Sequence, residues 1–309
     1  MKLAIRLPYH AADVTGAGMA AVASAADGAG FHSGWVADHL VFPAGELRSR
    51  TGSTPDGRYP RPMDETTLEC WTSLAYCAAV TRRLELGVGV TVLPYRHPLL
   101  LAKVIASLDL LSGGRVICGV GVGWLAEEFA ALGVPFDDRG RRAEEAIALL
   151  RECWRGTPVR FDGEVFPVPD PVHVVPQPLR EPPLVFGGSS RPALRRAVRL
   201  GDGWIGHEIM PADVPGMRAQ LAAAAPNGGV PDGFRFLTSR LMNPSTDPGA
   251  DPRRLDTDSV GRLADELAAY AAAGTDVLLC EPSVRTVAAH LDLVEQVAAA
   301  GALLDLAPA

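Results

Sequence analysis

The sequence has almost no lysine, no paired cysteine motif and no long apolar run. Lys2 and Lys103 are its only lysines, and the formal net charge of −7 gives no sign of the basic face that nucleic-acid-binding proteins carry. No apolar run approaches the roughly 20 residues needed to cross a membrane. The first residues, "MKLAIRLPYH", lack the apolar stretch and cleavage site of a secretory signal. We therefore expect a cytoplasmic protein that binds a small molecule, and neither nucleic acid nor a membrane.

The cysteines are too scattered to form a disulfide framework. They are odd in number and lie mostly in apolar segments, at Cys70, Cys77, Cys118, Cys153 and Cys280. That pattern is typical of buried thiols in a reducing compartment. The sequence contains neither a CxxC nor an HExxH motif, so we expect no metal site.

Short β-rich runs alternate with helical stretches along the whole chain. The predicted strands cover 3–7, 34–37, 84–93, 115–120, 183–188, 203–206, 234–241 and 276–281. The predicted helices cover 17–29, 65–80, the stretch from residue 97 to the stop at Gly113, 124–131, 138–155, 191–200, 211–225, 259–273 and 283–300. Eight strand–helix units favour a single (β/α)8 TIM barrel over 1–309, with a β-rich insertion after the fourth strand.

A doubly wound open sheet is the main alternative fold. It is expected to have a GxGxxG turn after its first strand, and "LPYHAADVTG" contains none. The sequence therefore favours the barrel.

Polar and glycine-rich residues follow several of the predicted strands. In a barrel of this type, the carboxyl ends of the strands meet at the active-site face. The residues expected there are Tyr9 and His10 after the first strand, Asp38 and His39 after the second, Gly121 to Trp124 after the fourth, Gly188 to Ser190 after the fifth, and His207 after the sixth. We therefore predict a site at this end of the barrel, covered by a long loop over 43–64.

Two glycine-rich turns each connect a strand to a helix. "GVGVGWLAEE" (119–128) and "FGGSSRPALRRA" (186–197) can both offer backbone N–H groups to an anion. The alternatives are a tight turn that requires positive φ, and a Ser190 side chain that caps the following helix. For the second turn we favour anion contacts from Ser189 and Ser190.

Gly87 and Gly89 fall inside the third predicted strand. Glycine in a strand marks either a bulge, a close approach of ligand, or dense packing at the barrel axis, and spacing does not decide among these. Two other histidines have structural interpretations. His97 is expected to start a helix, and His290 to be solvated on the last one.

Taken together, several stretches resemble the luciferase-like monooxygenase superfamily, and within it the branch of oxidoreductases that depends on the deazaflavin coenzyme F420. The resemblance covers roughly 1–207, whereas the last hundred residues are similar only in layout. The matching stretches are "GFHSGWVADHLVFP", "PDGRYP", "RLELGVGVTVLPYRHPLLLAKVIASLDLLSGGRVICGVGVGWLAEEFAALGV", "FDDRGRRAEEAIALLRECW", "FDGEVFPV" and "LVFGGSSRPALRRAVRLGDGWIG".

The resemblance implies how a coenzyme would be held. It places a non-prolyl cis peptide at Gly89–Val90, behind the coenzyme ring. It assigns coenzyme contacts, mainly to the phosphate, to Gly121, Gly123, Gly188, Ser189 and Ser190, with Trp124 and Glu127 nearby. Trp124 stands where related sugar-phosphate dehydrogenases carry a glutamate, so sugar-phosphate oxidation is not expected.

We predict a coenzyme F420-dependent oxidoreductase that passes a hydride between the coenzyme's C5 and an organic substrate. His39, paired with Asp38, is expected to transfer a proton, because imidazole titrates near neutral pH. Substrate contacts are expected from Tyr9, His10 and His207, and a homodimer is the expected assembly. The alternatives are an FMN-dependent two-component monooxygenase supplied by a partner reductase, and a flavin- or ligand-binding barrel without turnover.

Overall fold

The computed structural model describes residues 1–45, 64–226, 228–242, 254–257 and 259–304. The strands are β1 (Lys2–Arg6), β2 (Ser33–Val36), β3 (Glu85–Val88), β4 (Thr91–Val92), β5 (Val116–Gly121), β6 (Val159–Phe161), β7 (Val168–Val172), β8 (Leu184–Gly187), β9 (Gly203–His207), β10 (Arg235–Met242) and β11 (Val277–Pro282). The helices are α1 (Gly16–Gly28), α2 (Cys70–Val80), α3 (Pro98–Ser112), α4 (Ala126–Ala131), α5 (Arg139–Arg155), α6 (Arg191–Leu200), α7 (Val214–Ala224), α8 (Val260–Ala273) and α9 (Val287–Ala302). Most of the predicted 43–64 loop, including "PDGRYP", lies outside the described residues.

The strands form a closed parallel barrel. Neighbouring strands pair in the order β3-β2-β1-β11-β10-β9-β8-β5, and β3 pairs back with β5 to close the ring. The short β4 continues the third strand and also pairs with β5. Between α5 and β8, β6 and β7 form an antiparallel pair. The predicted (β/α)8 barrel with an insertion after the fourth strand is therefore confirmed.

The inside of the barrel is filled by side chains that alternate with outward-facing ones along each strand. The inner cluster consists of Ala4, Trp35, Ile117, Val185, Ile205, Leu237, Val277 and Leu279. Trp35 occupies the centre, and a Cβ built on Gly87 would lie 2.5 Å from its ring. Dense packing at the barrel axis is thus the reason for glycine at position 87.

Some local predictions require correction. The predicted strand 84–93 is interrupted between β3 and β4. Helix α2 begins at Cys70 rather than at residue 65, because the Glu69 side chain caps it through the N–H of Thr72. His290 is buried rather than solvated, because it shares the inner face of α9 with apolar residues, and its Nε2 contacts the carbonyl of Arg6.

Other local predictions are confirmed. The Nδ1 of His97 accepts the N–H of Leu99 at the start of α3, which ends at Gly113 with φ of 75°. All five cysteines are free and buried. Within the described ranges, none of the helices is both long enough and apolar enough to span a bilayer.

Candidate active site

At the carboxyl end of the barrel, the strands on one side end in glycine, and those on the other side carry charged and polar side chains. The glycines lie at the ends of three neighbouring strands, at Gly89, Gly121 and Gly187. The charged side presents Arg6, His207, Ser239 and Glu281 from β1, β9, β10 and β11. A cavity of about 500 Å³ lies against both sides. It is at the end of the barrel where the sequence predicts the site.

Val90 forms the apolar floor of the cavity. The Gly89–Val90 peptide is cis, as the resemblance implies, and it separates β3 from β4. A Cβ built on Gly121 or Gly187 would lie 2.6 or 2.9 Å from the methyl groups of Val90. Neither position can carry a side chain without displacing Val90. The two glycines therefore make room for the Val90 side chain, whose apolar surface faces the cavity and suits the face of a planar ring.

The turn after β8 is the part of the cavity best suited to an anion. Gly188 has φ of 100°, and its carbonyl accepts the indole N–H of Trp204 at 2.8 Å, which fixes the turn. Ser189 lines the cavity. The Ser190 hydroxyl instead accepts the N–H of Ala193 at 3.4 Å and caps α6, so the capping alternative holds for Ser190. The phosphate contact from Gly188 and Ser189 stays a prediction.

The turn after β5 has a larger structural role than predicted. Gly123 has φ of 79°, and a Cβ there would meet Phe129 at 2.6 Å and Val92 at 2.7 Å. It therefore serves the tight turn. Trp124 is half-buried, with its ring 6.2 Å from that of His39. Glu127 is exposed on α4 and does not line the cavity.

His39 is paired with Glu128, a carboxylate that the sequence reasoning missed. The Nδ1 of His39 lies 2.9 Å from Oε2 of Glu128, whose side chain is completely buried. The same carboxylate accepts the N–H groups of Leu40 and Val41 at 2.6 and 3.2 Å. It also accepts the hydroxyl of Tyr95 at 2.8 Å. These contacts fix the segment that follows β2.

The contacts determine which nitrogen of His39 carries a proton. Burial by itself would raise the pKa of Glu128, but His39, the Leu40 N–H and Tyr95 bring it below its ordinary value. An ionised carboxylate only accepts hydrogen bonds, so the Nδ1 of His39 donates. Neutral His39 is then the Nδ1–H tautomer, with Nε2 as its basic nitrogen.

Asp38 is not the partner of His39, so the predicted pair is wrong. Its carboxylate accepts both terminal nitrogens of Arg96, at 2.7 and 2.9 Å, and the N–H of Val92 at 2.9 Å. Consecutive side chains of an extended segment point to opposite sides, which directs Asp38 and His39 to different neighbours. Because Val92 belongs to β4, Asp38 ties the end of β2 to the segment that carries Val90.

Tyr9 and His10 are buried after β1 and are not among the described residues that line the cavity. The ring of His10 lies against Thr67 and Glu65, with Nδ1–Oγ1 and Nε2–Oε2 distances of 3.3 and 3.6 Å. That Tyr9 and His10 contact the substrate stays a prediction, and so does the prediction that the 43–64 loop covers the site.

Arg6, Glu281 and His207 form a charged row across the barrel mouth. Arg6 donates through Nε to Oε2 of Glu281 at 3.1 Å and through Nη1 to the carbonyl of Gly89 at 3.3 Å, and its Nη2 forms an ion pair with Oε1 of Glu281 at 3.0 Å. The Nδ1 of His207 lies 3.0 Å from the hydroxyl of Ser239 and 3.6 Å from Oε1 of Glu281. Burial opposes ionisation of Glu281, but Arg6 and His207 hold its pKa well below the usual range. Of this row, the sequence reasoning named only His207.

The missed residues leave a recognisable sequence signal. Glu128 falls three residues after buried Leu125 and beside buried Phe129, on what is otherwise an apolar helical face. Arg6 shares with Ala4 the alternating face that points into the barrel, and Glu281 shares the corresponding face of β11 with Val277 and Leu279. A charged residue at an inward position is unusual unless it is paired. In the described part of the chain, no group of three His, Cys, Asp or Glu is arranged to hold a metal ion.

Comparisons with known proteins bear on this site. A family model described as luciferase-like monooxygenase matches residues 1–248. An uncharacterised protein of Mycobacterium tuberculosis is 37% identical over 184 residues, which are 60% of this chain and 63% of that protein. The chain thus spans less than two thirds of that relative's length. The F420-dependent hydroxymycolic acid dehydrogenase of the same organism is 33% identical over 190 residues, which are 60% of this chain and 48% of that enzyme.

The fold has a solved counterpart. The structure of an F420-dependent secondary alcohol dehydrogenase in complex with an F420–acetone adduct superimposes with a TM-score of 0.75, covering 97% of this chain and 98% of that one. The two sequences are 17% identical, so this similarity concerns the fold.

Proposed function

The chain belongs to the luciferase-like monooxygenase family, and from that premise we propose that it is an oxidoreductase that uses coenzyme F420. One observation carries the proposal. Val90 and the Gly188–Ser189 turn line the same cavity, so an apolar side chain adjoins a turn at the start of a helix, where backbone N–H groups can meet an anion. A coenzyme with a planar ring and a phosphate needs both. The F420-dependent relative and the F420-dependent structural neighbour support this choice of coenzyme.

The described residues suggest how the coenzyme would be held. The ring would lie on Val90, where Gly121 and Gly187 leave the strand ends bare. The phosphate would meet Gly188, Ser189 and the first N–H groups of α6, which have no partner inside the helix. When bound, the coenzyme supplies the redox chemistry by passing a hydride between its C5 and the substrate.

The protein's own residues transfer the proton and hold the imidazole that carries it in position. In substrate oxidation, we assign the proton released by the substrate to Nε2 of His39, and in reduction the same nitrogen returns it. The ionised Glu128 holds Nδ1–H in place and stabilises the imidazolium that forms. Trp124, half-buried beside His39, helps to exclude water from this side of the site.

The assignment of His39 is tested by replacing it with asparagine. In assays of coenzyme-dependent turnover with panels of alcohols and carbonyl compounds, His39→Asn should be at least about a hundredfold slower than wild type. Its affinity for the coenzyme should stay unchanged. His173→Asn, next to the insertion strand β7, is the matched control and should behave as wild type. If His39→Asn keeps the wild-type kcat and only its Tm falls, His39 is structural.

An FMN-dependent two-component monooxygenase is the second candidate, because the matching family model is described as a luciferase-like monooxygenase. It would need a partner reductase to supply reduced flavin. Oxygen consumption that depends on reduced FMN, with no turnover of F420, would favour it. A protein that binds coenzyme but turns over no substrate across the panel would instead be the non-catalytic barrel.

A further inference from the structure

On the charged side of the cavity, one cationic group is left over after each carboxylate has been paired with an arginine. Five ionisable side chains line it: Arg6, His207, Glu208, Arg240 and Glu281. Arg6 pairs with Glu281 at 3.0 Å, and Arg240 with Glu208 at 3.2 Å. Each carboxylate is therefore matched by one arginine. His207 is the remaining cationic group.

His207 is also the most accessible member of this group. Its side chain is 47% exposed, against 7% for Glu281, and 3% and 20% for Arg240 and Glu208. Ser239 and Glu281 contact Nδ1, whereas Nε2 has no partner among the residues that the structure describes. His207 thus presents one ring nitrogen to the cavity.

The groups that face His207 favour its charged form on balance. Burial alone would lower the pKa of His207, and so would Arg6 on β1. The ion-pair contact with Glu281 on β11, at 3.6 Å, together with the charge of Glu208, outweighs these effects and raises that pKa above its ordinary value. An imidazolium in a cavity binds an anion through a charge-assisted hydrogen bond.

Apart from the residues assigned to the coenzyme, the rest of the cavity wall is largely apolar. Ile205, Ile209 and Met210 line it together with the charged row. One unmatched cation in an apolar enclosure is complementary to a small molecule with a single carboxylate on an apolar body.

We propose that His207 binds the carboxylate of the substrate, and that the enzyme acts on a small organic acid. This inference rests on the proposed function, because the acid would bind beside the coenzyme. Arg6–Glu281 would then act as the fixed support that orients His207, with Ser239 holding Nδ1. A neutral alcohol or ketone has no negative charge to pair with His207.

The test uses two probes of equal shape and different charge, isobutyrate and isobutyramide. Coenzyme-loaded protein is titrated with each by calorimetry at about pH 6 and about pH 8.5. The carboxylate stays ionised throughout, since carboxyl pKa values lie near about 4. His207 is charged below its raised pKa and neutral above it. Isobutyrate should therefore bind at least about tenfold more tightly than the amide at the lower pH, and this preference should decrease as the pH rises through the pKa of His207.

Variants assign the effect to His207. His207→Asn should abolish the preference for isobutyrate, with His207→Gln as a second variant should the first not fold. His173→Asn, outside the cavity, should retain it. In the wild type, ring ¹⁵N NMR provides an independent readout, because a ligand that prefers the imidazolium must raise the pKa of His207.

The outcomes separate this inference from the proposed function. Equal binding of the two probes, a preference that survives His207→Asn, or an unchanged His207 titration would overturn the inference and leave the coenzyme assignment intact. Displacement of the coenzyme by isobutyrate would also overturn it, since the charge would belong to the coenzyme's own pocket. Failure to bind coenzyme contradicts the proposed function, and the same probe pair on the coenzyme-free protein then decides the role of His207.

Discussion

At the scale of single residues, His39 and His207 are supported in the same way, although of the two only His207 is among the described residues that line the cavity. His39 contacts Glu128 and His207 contacts Glu281, and in both cases other donors also hold the carboxylate. Glu128 has Tyr95 and two backbone N–H groups, and Glu281 has Arg6. A buried carboxylate that is held by such hydrogen bonds or ion pairs stays ionised and keeps its position while the imidazole gains or loses a proton. The carboxylates are therefore positioning residues.

Glu128→Gln tests this at His39. The neutral amide cannot stabilise the imidazolium, so kcat should fall at least about tenfold while the coenzyme Kd stays within about twofold. Ring ¹⁵N shifts should show that His39 no longer holds the single Nδ1–H tautomer. Glu127→Gln, one residue away but exposed, is the matched control and should change neither quantity. A Glu128→Gln enzyme with wild-type kcat and an unaltered His39 tautomer would show that the carboxylate only holds the loop.

Sequence reasoning identified His39 but not its partner, and the reason is geometric. His39 is found from its place after a predicted strand, which depends only on local pattern. The choice among Asp38, Glu127 and Glu128 depends on how α4 is rotated against the barrel, which is a tertiary property. A one-residue change on a helix turns the side chain by about 100°, which separates the buried Glu128 from the exposed Glu127.

At the scale of elements, two adjacent residues at the start of α6 differ in their contacts: one caps the helix and the other lines the cavity. Ser190 caps the helix, and Ser189 lines the cavity one residue earlier. The sequence alone left capping and anion binding as alternatives for Ser190, because Gly-Gly-Ser-Ser before a helix fits either. The structure shows that Ser190 caps the helix, and the anion contact of Ser189 stays a prediction.

Single replacements should separate these two roles. Ser189→Ala removes a charge-assisted hydrogen bond to the coenzyme phosphate and should weaken coenzyme binding at least about tenfold, with little change in Tm. Ser190→Ala removes the cap and should cost about 1 kcal/mol of unfolding free energy, with affinity nearly unchanged. Fluorescence titration and thermal melts measure the two effects. Equal losses of affinity in both variants, or none in Ser189→Ala, would contradict the division.

At the scale of the whole molecule, the alternation of strands and helices was enough to predict the barrel and its insertion. The cavity was harder to predict, because it is formed by residues far apart in the chain. Val90 meets Gly121 and Gly187 only after the barrel closes, and Arg6 meets Glu281 across the pairing of the first and last strands. The glycines at the strand ends were visible in the sequence, but the side chain that requires them was not.

On the proposed function, this cavity binds the deazaflavin coenzyme in preference to a flavin. The direct measurement is titration of the purified protein with F420 and, separately, with FMN, following the quenching of coenzyme fluorescence. We predict that F420 binds with a Kd on the order of micromolar and at least about tenfold more tightly than FMN. Tighter binding of FMN, or no binding of F420, would contradict the account.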